Sequence, residues 1–142
     1  VEKLLKVIYV NKDVVITDNY PTGESRWGEH ECLNISAVDG DSTNGFVNAV
    51  FVFDTDPCCC EDFDVSYDER IFGEHRVEAI EIYEEESEEF FDIYGAMKVL
   101  VHTGVMTYEW RCYNDHNGYY GHSIDVEVTE DGAKTFEYSE IY

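Results

Sequence analysis

Positive charge is what this sequence lacks most: nine Lys and Arg stand against 32 Asp and Glu, a formal net charge of −23 over 142 residues. Phosphate recognition needs clustered cations that displace counterions, so direct binding of DNA or RNA is excluded on charge. Adhesion to an anionic membrane surface falls for the same reason. Long apolar runs are also missing. No stretch approaches the ~20 residues that span a bilayer, and Val1 to Val10 lacks the apolar core and cleavage site of a signal peptide. A cytoplasmic protein is the expectation. Two prolines and ten glycines exclude a collagen-like or linker-dominated chain. Five cysteines, an odd number without a secretion signal, argue against a disulfide framework.

What is present is a core. Hydrophobic residues make up 44% of the chain, with 11 Tyr and 8 Phe, which is enough to fold and makes disorder a poor reading. No repeat or composition shift divides it, so one domain over residues 1–142 is expected. The acids are spread through the apolar segments, which excludes a disordered acidic tail. Solubility and a halophilic habitat remain as bland explanations. The functional explanation is a basic partner, and the largest basic surfaces in a cell belong to proteins that handle nucleic acids.

Short β-branched and aromatic runs between turn signals predict an antiparallel, β-dominated fold. Val7–Val10 and Val14–Thr17 read as a hairpin around Asn11-Lys12-Asp13, and Asp18–Gly28 as loop. Cys32–Val38 reads as a strand. After the turn Asp39–Gly45, Phe46–Phe53 reads as a buried strand. Asp56-Pro57 suits the start of a short helix or turn. Arg76–Glu84 alternates as a strand, with Val77 and Ala79 on one face and Ile80 and Ile82 on the other. Glu84–Glu89 reads as a solvated face or loop leading to a helical turn around Phe90–Tyr94. Met97–Thr103 pairs with Val105–Tyr113, where Met106, Tyr108, Trp110 and Cys112 share a face. Tyr119–Val128 and Lys134–Tyr138 form the last strands, joined by Asp131-Gly132. The fold class expected is α+β: an antiparallel sheet with one or two short helices and a structural metal site.

That metal site rests on cysteine and histidine. Cys58, Cys59 and Cys60 are consecutive, Glu61 follows, and His116 and His122 flank a glycine-containing turn. Zinc takes thiolate and imidazole in a closed tetrahedron, which draws distant segments together. The triplet lacks the usual ligand spacing, since neighbouring side chains on an extended segment point apart. His30 and Cys32 form a second candidate pair. Against these stand plain alternatives: Cys58 or Cys60 as small buried hydrophobes, His122 as a hydrogen-bonded core residue, and Cys112 as core behind Trp110. A nucleophilic Cys59 or Cys60 activated by His116 or His122 is the enzyme alternative, but the local motif matches no thiol-protease signature. Asp39, Asp41 and Asn44 lack the EF-hand pattern and read as a turn.

Cys59-Cys60-Glu61 after an apolar strand, then Trp110 with Asn117-Gly118-Tyr119-Tyr120, is similar to a phage-associated domain family. That family carries a Cys-Cys-Glu element and a later Trp followed by Asn-Gly-Tyr-Tyr. The resemblance covers roughly Phe46 to Val128. Family members commonly place a His shortly before the Cys pair, whereas Asp54, Asp56, Pro57 and Cys58 fill that stretch here. Proteins with such domains look like type II, Cas9-inhibiting anti-CRISPR proteins, acting in the cytoplasm of the infected bacterial host. The resemblance implies structural zinc on Cys59, Cys60, His116 and His122, and no catalytic residues. It implies Cas9 as the basic partner, and the acidic clusters Glu61, Asp62, Asp64, Asp68 and Glu69 and Glu84, Glu85, Glu86, Glu88 and Glu89 are the contacts expected, against the plain alternative of a solvated face.

Overall fold

The computed structural model describes residues 2–19, 30–38, 45–54, 62–89, 92–116 and 123–141. They form nine strands: β1 Glu2–Thr17, β2 His30–Ala37, β3 Phe46–Asp54, β4 Asp62–Tyr67, β5 Gly73–Glu89, β6 Asp92–Thr103, β7 Thr107–His116, β8 Ser123–Glu130 and β9 Ala133–Ile141. All belong to one open antiparallel sheet in the order β4-β7-β6-β5-β1-β2-β3-β8-β9. The one helical element among the described residues is a 3-10 turn, Glu69–Ile71. The expected α+β class is therefore corrected to all-β. Residues 84–89, read as a solvated face or loop, continue β5, and Ile93-Tyr94 lie in β6 rather than in a helical turn. Register explains the change: Glu84 to Glu89 pair residue by residue with Met97 to Asp92, so the ladder fixes a run that local preference leaves undecided.

The sheet cannot be flat. β3 and β7 are five inter-strand steps apart, about 24 Å in a planar sheet, yet the rings of Phe51 and Trp110 lie with centroids 6.1 Å apart. The sheet curls until its two halves face each other. Ile8, Ile16, Leu33, Phe51, Ile80 and Trp110, drawn from both halves, belong to one buried cluster. Burying side chains of this size stabilises by roughly 1.5–3 kcal/mol each.

Bulges supply the curvature. β1 shifts register against β5 between Leu4 and Lys6 and again between Tyr9 and Lys12, and β6 meets a shift between Val77 and Ala79. A bulge adds a residue to one strand, bends it and increases its twist. Asn11, at φ 49°, takes up the second shift, so the expected hairpin at Asn11-Lys12-Asp13 is instead a bend within a single strand. The Val77/Ala79 shift carries Val77 to the buried face with Ile80 and Ile82, where simple alternation had placed it opposite them. Only Val14–Thr17 of β1 pair with β2, whereas Glu2–Tyr9 pair with β5 alone among the described residues. Lys3 and Lys6 charge this open stretch, a common protection of strand edges.

Asp131 and Gly132, with φ of 50° and 76°, make the tight turn between β8 and β9. The Asp131 carboxylate accepts the Gly45 amide, and the Asp131 amide donates to the Gly45 carbonyl at 2.7 Å. This double contact ties the hairpin end to the start of β3.

Candidate functional site

The outer face of β1, β5, β6 and β7 carries two connected polar networks. Register places its side chains in rows: Tyr9, Ala79, His102 and Thr107; then Val7, Glu81, Leu100 and Glu109; then Leu4, Tyr83, Lys98 and Arg111. Alternation sends these outward because their neighbours Ile80, Ile82, Val99, Val101, Tyr108 and Trp110 point into the core.

Two networks lock this face. Lys98 Nζ lies 2.5 Å from Glu2 and 3.8 Å from Glu85, and sits 5.0 Å above the Tyr83 ring. Arg111 reaches the same Glu85 carboxylate at 2.9 Å and covers the Tyr113 ring at 5.1 Å. The hydrogen bond to Glu2 leads the effects that hold the Lys98 ammonium above its ordinary value. In the second network the Tyr83 hydroxyl donates to Glu81, whose other oxygen faces His102 Nε2, while His102 Nδ1 lies 2.9 Å from Thr107 Oγ1. The Tyr83 hydrogen bond, followed by the imidazole, keeps the Glu81 carboxyl below the usual carboxylate range. Neither network was visible in the sequence. Apart from Glu81 and Tyr83, which are two positions apart, each carboxylate and its partner here are separated by at least 13 positions, and only the ladder aligns them.

The opposite end of the sheet is more openly acidic. Glu127 and Glu137 are directly paired across β8 and β9, a repulsive arrangement that Lys134 bridges at 3.5 Å to each. Both carboxylates keep the Lys134 ammonium above its ordinary value.

The sequence-derived contact residues divide. Glu61 lies outside the described residues. Asp62 and Asp64 sit on β4, an edge strand, opposite Asp115 and Tyr113. Asp68 caps the 3-10 turn and is spent on Arg70, whose hydrogen bonds hold the Asp68 carboxyl at about 2; Glu69 is exposed beside it. Glu85 is the shared anchor of Lys98 and Arg111, so its charge is already committed. Glu84, Glu86, Glu88 and Glu89 follow along β5, opposite Met97, Gly95, Ile93 and Asp92. Glu78 and Glu109, both exposed on this half of the sheet, were not singled out from the sequence.

The expected zinc ligands lie mostly outside the described residues. Among the described residues no group of three or more His, Cys, Asp and Glu is placed to hold a metal ion. Cys58, Cys59, Cys60 and His122 lie outside the described residues, and His116 ends β7 opposite Ile93. The His30 and Cys32 pair is joined by no third ligand among the described residues. The Cys32 thiol donates to the Asn19 carbonyl at 3.4 Å, and burial pushes it up to about 12. Cys112 is fully buried and likewise pushed up to about 12, as the core reading expected.

Comparison with family models, with curated proteins and with solved structures finds no match to this chain. The functional reading therefore rests on the sequence and on this geometry.

Proposed function

We propose that the chain is an inhibitor that binds Cas9 through its acidic surface and keeps target DNA from loading. The supporting observation is how the protein treats its own cations. Among the described residues, Arg70, Arg76, Lys98, Arg111 and Lys134 are each paired with one of the protein's own carboxylates. The surplus of negative charge is thus displayed with little opposing charge of its own, on a sheet stiffened by continuous ladders. Cas9 holds its guide–target heteroduplex in a positively charged channel. A rigid polyanion that occupies this surface competes with DNA without needing to resemble a particular base sequence. Long-range attraction accelerates such an encounter, and salt screens it.

The test is DNA cleavage by guide-loaded Cas9 with the purified protein added before or after target DNA. Inhibition only on prior addition, with an association rate that falls steeply with salt, is the expected result. Unimpaired cleavage at micromolar inhibitor rejects Cas9 as the target. Displacement of DNA from another basic host protein, such as a restriction enzyme or a nucleoid protein, under the same conditions would transfer the mechanism to that partner.

A further inference from the structure

Charge alone attracts any basic surface and selects none, so a second feature is needed for a specific complex. Six large hydrophobic side chains are exposed among the described residues, and four of them, Leu4, Tyr9, Val105 and Met106, belong to the half of the sheet built from β1, β5, β6 and β7. Leu4 and Tyr9 are 47% and 74% exposed on the outer side of β1. Val105, 95% exposed, and Met106 form the tip joining β6 to β7.

That tip is held rigidly. The Thr103 amide donates to the Met106 carbonyl at 2.9 Å, the Thr103 hydroxyl donates to the same carbonyl at 2.7 Å, and the Met106 amide donates back to Thr103 Oγ1 at 3.0 Å. An apolar side chain displayed on a hydrogen-bonded turn loses little freedom when it is covered.

We infer that the outer face of β1, β5, β6 and β7 docks a protein surface whose apolar centre is ringed by Lys and Arg. This rests on the proposed function and names the face that performs it. Charge complementarity selects the occupant. Exposed Glu109 lies in the row of Val7 and Leu100 and exposed Glu78 lies beside Gly104, while Arg76, Lys98 and Arg111, the cations of these strands, are already paired with Asp13, Glu2 and Glu85. A second copy of the chain would bring two bodies of charge −23 together through like-charged rims, so it is the wrong occupant. An apolar partner without cations would leave the carboxylates to lose water with nothing in exchange. A purely cationic partner would gain nothing from covering Tyr9 and Leu4.

The face is also prepared for contact. Glu81, Lys98 and Arg111 are each less than a third exposed and already held by neighbours, so docking need not order them. Tyr, Met and Arg, all present here, are the side chains enriched in protein interfaces.

The experiment uses two probes of equal charge, a short amphipathic Leu/Lys peptide and an oligolysine, titrated against the full chain at physiological ionic strength. The Leu/Lys peptide is expected to bind about tenfold more tightly, the equivalent of ~1.4 kcal/mol. The double variant Leu4→Ser/Tyr9→Ser is expected to lose most of that preference while oligolysine binding holds. Amide shifts on addition of the Leu/Lys peptide should centre on β1 and on the Val105 tip. A control, Glu127→Gln/Glu137→Gln on the far strands, should weaken both peptides alike. Thermal melting confirms that each variant remains folded.

Equal affinity for the two probes, shifts centred on β8 and β9, or an unchanged preference in the double variant would overturn the proposal. So would a wild-type dimer that Tyr9→Ser dissociates, because the face would then belong to self-association. Failure to inhibit Cas9 with the peptide preference intact would reject the Cas9 reading and leave the docking face standing.

Discussion

Phe51 on β3 and Trp110 on β7 touch across the interior, with ring centroids 6.1 Å apart and planes inclined at 45°, although four strands lie between them in the sheet. The contact joins the two halves of the curled sheet. Truncating either ring to Ala should cost about 3–5 kcal/mol, and the double variant should cost less than the sum by about 0.5–1.5 kcal/mol. Urea unfolding of the four proteins measures this coupling. Strict additivity would mean that the halves do not meet at these residues.

Glu31 should be a destabilising residue at neutral pH. Burial, and then the Asp18 carboxylate, push its carboxyl above the ordinary value. A raised folded-state value means that the protonated form is favoured by folding, so stability is lost as pH rises through it. Glu31→Gln should therefore raise the melting temperature at pH 7 by about 1–3 °C, the scale of a fraction of a kcal/mol in a domain of this size. The gain should vanish below the ordinary Glu value, where both states are protonated. Melting curves from acid to neutral pH show the crossover, and a pH-independent gain would point to packing instead.

Asp68 titrates in the opposite sense. Its carboxyl is held at about 2 by Arg70, so its contribution is present above the unfolded value and disappears as pH falls toward 2. Asp68→Asn also weakens the cap that receives the Arg70 amide at 2.9 Å. Fraying of the 3-10 turn, seen as faster amide exchange at Arg70 and Ile71, is the expected outcome, with small global effect because the pair is exposed.

Glu85 and Glu109 should separate stability from binding. Removing the Glu85 charge leaves the half-buried Lys98 and Arg111 without their shared anchor, so Glu85→Gln should cost about 1–3 kcal/mol. Exposed Glu109 lacks such a role, and Glu109→Gln should leave melting unchanged while slowing association with a cationic partner. Stopped-flow association together with melting curves checks both. The reverse pattern would exchange the two assignments.

Cys32 and Cys112 should resist alkylation in the folded protein at pH 8, because both thiols are buried and pushed up to about 12. Peptide mass mapping after a brief iodoacetamide pulse, with and without denaturant, should show protection at both sites. Rapid native labelling of Cys112 would contradict its place in the core.

Much of the strand content was legible because alternating apolar runs report one buried face. Phe46–Phe53 and Cys32–Val38 fall within or close to β3 and β2 for that reason, and the described part of Tyr119–Val128 lies in β8. β4 was missed: Asp62-Phe63-Asp64-Val65 carries acids typical of loops and becomes a strand by pairing with Asn114 and Cys112 on β7. The loop reading of the glutamate run failed in the same way, since no local preference announces its ladder partners on β6. The candidate face was less legible still. Glu81 finds His102 and Glu85 finds Arg111 only after β5, β6 and β7 are in register.

The sequence by itself determined the sign and size of the charge and the alternation that makes strands. Those properties follow from composition and from the period of two, which need no partner strand. Tertiary structure decided where β1 bends, which face Val77 joins, and that Phe51 meets Trp110. It also decided which carboxylates are tied to the protein's own cations and which remain to meet another molecule. Those outcomes depend on register and curvature, set by long-range pairing that no local stretch of the chain encodes.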